Sequence, residues 1–152
     1  MLPGRSEDQA WLVSVAAAAA RDVWAVGWYG DVAVGPRPRT LIEHWNGSHW
    51  AVVPSPNPGT DPNGNALWGV TTVSPRDVWA VGSAGGAIDP YPTTKPLIVH
   101  WNGSAWSRVP APGTGQLLRV AAERHGGGIS AAGVSTANSG YLAPLAEHRC
   151  PG

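Results

Sequence analysis

The chain has a single cysteine, Cys150, in 152 residues. That excludes a disulfide framework within it and a cysteine-based zinc site. One lysine stands against nine arginines, a skew that reads as coding-sequence base composition rather than chemistry. Charged residues make up only 13%, and ten basic side chains cancel ten acidic ones. Such a chain has no electrostatic footprint for nucleic acid or an anionic membrane. Long apolar runs are also missing. Residues 10–20, with their alanine tract, come nearest and are too short to span a bilayer. Glu7 and Asp8 beside Arg5 remove the positive n-region that would make this stretch a signal peptide. Phenylalanine is absent, yet there are nine tryptophans.

Glycine (20) and proline (15) are plentiful, which suits many short strands joined by turns. The length allows one domain with a real core. Self-comparison then organises the chain. Arg21-Asp-Val-Trp-Ala-Val-Gly27 recurs letter for letter from Arg76 to Gly82, an offset of 55. Leu41-Ile-Glu-His-Trp-Asn-Gly-Ser48 returns as Leu97-Ile-Val-His-Trp-Asn-Gly-Ser104, an offset of 56. Leu12 and Val15 map to Leu67 and Val70, and Trp50 to Trp106. A decayed third copy follows: Leu117 and Val120, then Ile129–Gly133, then Leu145–His148. The second tryptophan of its hairpin would fall beyond Gly152, so this unit is expected to lack its last strand.

Each unit reads as four strands. In the second, Leu67–Val73 is followed by a turn at Ser74-Pro-Arg-Asp77, with Asp77, like Asp22, closing the turn. Val78–Val81 ends at Gly82, and a Gly/Pro-rich loop leads to Leu97–Trp101. Asn102-Gly103 marks a tight hairpin of type I′. In the first unit that turn pairs Trp45 with Ser48 and Glu43 with Trp50, leaving Trp45 and Trp50 as diagonal neighbours on one face. Trp24 and Trp79 sit mid-strand, suited to filling the space between packed sheets. Six tryptophans, Trp24, Trp45, Trp50, Trp79, Trp101 and Trp106, thus occupy fixed repeat positions. Helix is expected nowhere. The alanine run favours it intrinsically, but its counterparts, Thr71-Thr-Val-Ser-Pro75, do not.

Four-stranded repeats of this length, apolar on both faces, predict blades of a β-propeller. The fold expected is all-β: two complete four-stranded antiparallel blades and a third without its last strand. Residues 1–10 are read as an inter-blade loop, 11–54 as blade 1, 55–66 as linker, 67–110 as blade 2 and 111–152 as incomplete blade 3. The Asp-Val-Trp-Ala-Val-Gly and His-Trp-Asn-Gly-Ser-x-Trp segments resemble repeats of bacterial Kelch-like and galactose-oxidase-like propellers, over residues 11–148. The Asn-Gly-Ser-x-Trp hairpin is also similar to the Asp-box of sialidase-type propellers, without its aspartate. The resemblance implies a secreted or cell-surface protein. Fewer than about four blades cannot close a ring, so further blades or a second copy are expected. Two copies would make six blades. A fragment of a longer propeller is the favoured reading, because Met1–Gln9 matches a loop and supplies no fourth strand.

Catalytic chemistry is hard to find. Glu43-His44 and Glu147-His148 are strand neighbours that point to opposite faces. His44, His100 and His148 share one repeat position and read as packing elements with local hydrogen bonds. His44 and His49 are expected to face each other across the hairpin, a geometry compatible with metal. Ala105 replaces His49 in the second unit, so no metal or other cofactor is expected. Gly126-Gly-Gly128 lacks the following Lys-Ser/Thr of a phosphate loop, and no Gly-x-Ser-x-Gly or His-Glu-x-x-His occurs. The asparagines at 46 and 102 form glycosylation sequons on paper but are explained by turn chemistry. The loops at 28–39 and 83–96 differ while the frame repeats, and such loops carry binding. Trp28, Tyr29, Asp31, Asp89 and Tyr91 are the candidate binding residues. The expectation is a non-catalytic binding or scaffold segment for a protein or glycan. The rival is part of a glycan-active or oxidase-type enzyme whose catalytic residues lie outside this chain.

Overall fold

The computed structural model describes residues 9–30, 37–58, 63–86, 93–123, 128–136 and 142–149. Every regular element among them is a β-strand. Strands β1 (Ala10–Ala19), β2 (Asp22–Tyr29), β3 (Arg39–Trp45) and β4 (Trp50–Val52) form one antiparallel meander. Strands β5 (Asn65–Ser74), β6 (Asp77–Ala84), β7 (Lys95–Trp101) and β8 (Trp106–Val109) form the second. Strands β9 (Gln116–Ala122), β10 (Ile129–Thr136) and β11 (Leu142–Arg149) form a third sheet of three. The architecture is therefore a partial propeller of two complete blades and one three-stranded blade.

The alanine run lies in β1. Ala16 pairs with Trp24 and Ala17 with Val23, so the sheet partner overrides helical preference. The blades stack face to face. Call the face of each blade that meets its predecessor leading, and the other trailing. Trp24, Val26 and Ile42 on the trailing face of blade 1 pack into one apolar cluster with Leu67, Val70, Leu97 and Trp106 on the leading face of blade 2. Val81 and Ile98 meet Leu117 and Ala131 of blade 3 in the same way. The first strands run side by side along the stack. The Val70 N–H donates to Ser14 Oγ at 3.2 Å, and the Ala122 N–H donates to Thr71 Oγ1 at 3.1 Å. Each later blade is also tied in at its start. Asn65 N–H donates to Pro38 O and Gly115 N–H to Thr94 O, both at 2.8 Å.

Two local expectations need correction. Gly82 does not end its strand, since β6 continues to Ala84. A Cβ at Gly82 would sit 1.9 Å from Ala66 O. The same collision arises at Gly27 with Trp11 O (1.7 Å) and at Gly133 with Gln116 O (1.8 Å). In all three blades a bulge in the first strand, between Leu12 and Ser14, between Leu67 and Gly69 and between Leu117 and Arg119, accompanies this close approach. Glycine is therefore required by proximity rather than by a turn.

The hairpin tip is also not a two-residue type I′ turn. Trp45 pairs directly with Trp50, and the Asn46 N–H donates to His49 O, so the loop has four residues. Among the described residues only glycines have positive φ, Gly47 and Gly103 at 94° each. Asn46 instead uses its side chain. Its Oδ1 accepts from Ser48 N, Ser48 Oγ and His49 N at 2.8–3.1 Å, and Asn102 repeats the pattern. An asparagine that caps the loop through its own carbonyl has no need of the left-handed region.

Candidate functional site

The repeated polar residues converge at one edge of each blade. Asp22 opens β2 and His44 lies near the end of β3, and antiparallel pairing brings them together. His44 Nε2 meets Asp22 Oδ1 at 2.8 Å, while the imidazole stacks on Trp24 with centroids 4.2 Å apart. Blade 2 repeats this with His100 and Asp77 at 2.8 Å and with Trp79 at 4.2 Å. Trp79 Nε1 also donates to Asp77 Oδ1 at 2.6 Å. The two aspartates thus hold histidine, where turn closure was expected. Arg21 and Arg76 complete the edge, since each side chain lies against the tip glycine, Gly47 or Gly103. The two sequence motifs recur together because they form one latch.

Blade 3 varies it. Glu123 takes the aspartate's part, with His148 Nδ1 at 2.9 Å from its Oε1. Ser130 stands where Trp24 and Trp79 stand, and its Oγ lies 3.3 Å from Glu123 Oε1 and 3.4 Å from His148 Nδ1. Serine, histidine and glutamate in one place invite comparison with a nucleophile relay. A relay needs serine and carboxylate on opposite ring nitrogens, and here both meet Nδ1. The arrangement is a latch with its indole removed.

Replacing Asp22 with alanine is expected to cost about 1–2 kcal/mol, because a charge-assisted bond to a partly buried histidine is lost. Glu43→Ala, on the opposite face of the same sheet edge, should stay within about 0.5 kcal/mol. Urea unfolding of the two variants makes the comparison.

The pairing foreseen between His44 and His49 does not form. His44 lies opposite Ala51, and His49 stays in the loop, 2.9 Å from Ser48 Oγ. The longer loop shifts the register that the two-residue turn implied. Among the described residues no group of three His, Cys, Asp or Glu is placed to hold a metal. Of the candidate binding residues, Trp28 and Tyr29 lie on β2 rather than in a loop. Trp28 is only 5% exposed and packs with Ala66 and Trp68 at the seam between blades. Asp31, Asp89 and Tyr91 lie outside the described residues.

Two surfaces stand out, the end faces that an open stack of blades is expected to expose. The first is the leading face of blade 1. Leu12 is 47% exposed, Val15 65% and Trp50 45%, while their repeat counterparts Leu67, Val70 and Trp106 are 0%, 7% and 7% exposed. The residue types are identical, so the difference is the neighbouring blade. Trp106 is covered by Trp24 (centroids 5.3 Å, edge to face), and no described residue covers Trp50 in that way. Apart from that face, Trp11 is a further exposed ring, paired with and stacked on Trp28 on the opposite side of the sheet, where blade 2 has Ala66. The sequence signal for it was that single departure from the repeat. The second surface is the trailing face of blade 3, an open hollow of about 440 Å³ lined by Ser130, Ala132, Ala146, His148 and Arg119.

Fold and surfaces together define a frame of stacked blade repeats with two unmatched ends. No protein-family model matches the chain, and no curated protein matches its sequence.

Proposed function

We propose that this chain is a non-catalytic segment of a β-propeller of the Kelch-like kind, acting outside the cytoplasm as a scaffold that presents loops to a protein or glycan. The observation that carries this reading is how the repeated polar residues are used. Asp22, His44, Asp77 and His100 are committed to the same aspartate–histidine contact in two blades. Residues repeated for structure leave recognition to what differs between units, namely the connections from second to third strands. The bare leading face supports the view that the ring continues in further blades or another copy.

A glycan array tests the recognition part. The chain is expected to retain at least one glycan without cleaving or oxidising it. A variant carrying Tyr29→Ala, Asp31→Ala, Asp89→Ala and Tyr91→Ala should lose that signal while keeping its melting temperature. Turnover of a bound glycan, or binding that survives all four substitutions, contradicts the proposal.

A further inference from the structure

We infer that the leading face of blade 1 docks on the trailing face of blade 3 of a second copy, so that two chains close head to tail into a six-bladed ring. This rests on the reading of the chain as a frame of stacked blades and adds the partner. Three blades per chain give six, within the roughly four to eight of closed propellers.

The chain itself shows what covers a leading face. In blade 2 the face is buried by a trailing face, and blade 1 presents the same Leu, Val and Trp positions uncovered. The aromatic pair that receives the neighbour is already set. Trp45 and Trp50 lie 5.9 Å apart at 45°, matching Trp101 and Trp106 at 6.0 Å and 45°. In blade 2 that pair meets Trp24, at 5.0 Å from Trp101 and 5.3 Å from Trp106.

The remaining trailing face in the described structure belongs to blade 3, and it is trimmed at the matching positions. Ser130 replaces Trp24 and Trp79, Ala132 replaces Val26 and Val81, and Ala146 replaces Ile42 and Ile98. What remains is the hollow, with His148 on its wall at the position where the other blades stack histidine under an indole. Stacking in the established register sets this hollow opposite Trp45 and Trp50 of the second copy. The exposed Trp50 ring enters the space the missing indole leaves. Such a contact is heterologous, and it leaves no bare face only if the rotation closes.

The native chain is expected to sediment as two copies of 15.8 kDa. Val15→Lys alters the leading face and Ala132→Arg the trailing face, both at exposed positions. Each should be monomeric, with dissociation at least tenfold easier and far-ultraviolet circular dichroism unchanged. Mixed one to one, they should recover a two-chain species, because each supplies the face the other lacks. An Ala132→Arg chain that stays dimeric would mean leading-to-leading contact and overturns the proposal. A native chain that is monomeric at tens of micromolar, or that grows beyond two copies, overturns it as well. Failure of the underlying frame reads out separately: Trp24→Ala would then leave folding undisturbed in any state of association.

Discussion

Trp24→Ala should cost about 3–5 kcal/mol of folding stability, the largest loss expected from any tryptophan in the chain. The ring is 2% exposed and bridges two blades. It stacks on His44 within its own sheet and meets Trp101 and Trp106 of the next. Truncation leaves a cavity between two sheets held on both sides by strand pairing, so the walls relax little. A domain of this size has about 5–15 kcal/mol in total, so the variant should be largely unfolded at physiological temperature. Trp50→Ala is the control. Trp50 occupies the same repeat position as Trp106 but is 45% exposed, with no described residue covering it as Trp24 covers Trp106, and its truncation should cost no more than about 1 kcal/mol within one chain. Urea unfolding at low protein concentration, followed by circular dichroism, separates the two. Similar losses at both positions would contradict the stacking described.

Gly82→Ala should be nearly as damaging, at about 3 kcal/mol. The added methyl would meet Ala66 O at 1.9 Å, and that atom belongs to the backbone of β5, where Ala66 pairs with Ser83. Relief would require breaking the β5–β6 ladder beside the bulge or moving a residue that is itself buried. Gly113→Ala makes the contrast. That residue has φ of 82° with nothing within 4 Å of the added atom, so only the left-handed backbone opposes alanine, at about 1 kcal/mol. A Gly82 variant no worse than the Gly113 variant would show that the close approach is not there.

Why glycine recurs at 27, 82 and 133 could be read from sequence only halfway. The repeat located the position, and strand termination was the natural reason. The actual reason is a carbonyl from the neighbouring strand, brought close where that strand bulges, and no local signal reports a bulge on a partner. The hairpins failed similarly. Asn-Gly fits a type I′ turn, but here the asparagine side chain closes a four-residue loop, and that moved every cross-strand pairing counted from the tip. The tryptophan pair survived on one face because both readings keep its parity.

The latch was present in the sequence as two motifs without their connection. Asp22 and His44 are 22 residues apart and meet only because β2 begins where β3 ends. Periodicity gave the strands, their order and the missing fourth strand of the third blade, since an exact internal repeat constrains topology strongly. It could not rank the loops. Trp28 was counted with them by its neighbours in sequence, yet its ring belongs to the seam between blades.

The central claim is that second-strand indoles lie between successive sheets. Nuclear Overhauser spectroscopy on the folded chain with assigned tryptophan rings tests it most directly. Cross-peaks are predicted from the Trp24 ring to those of both Trp101 and Trp106, residues more than seventy positions away along the sequence. Cross-peaks from Trp24 to His44 and its own sheet alone, with none to blade 2, would contradict the account.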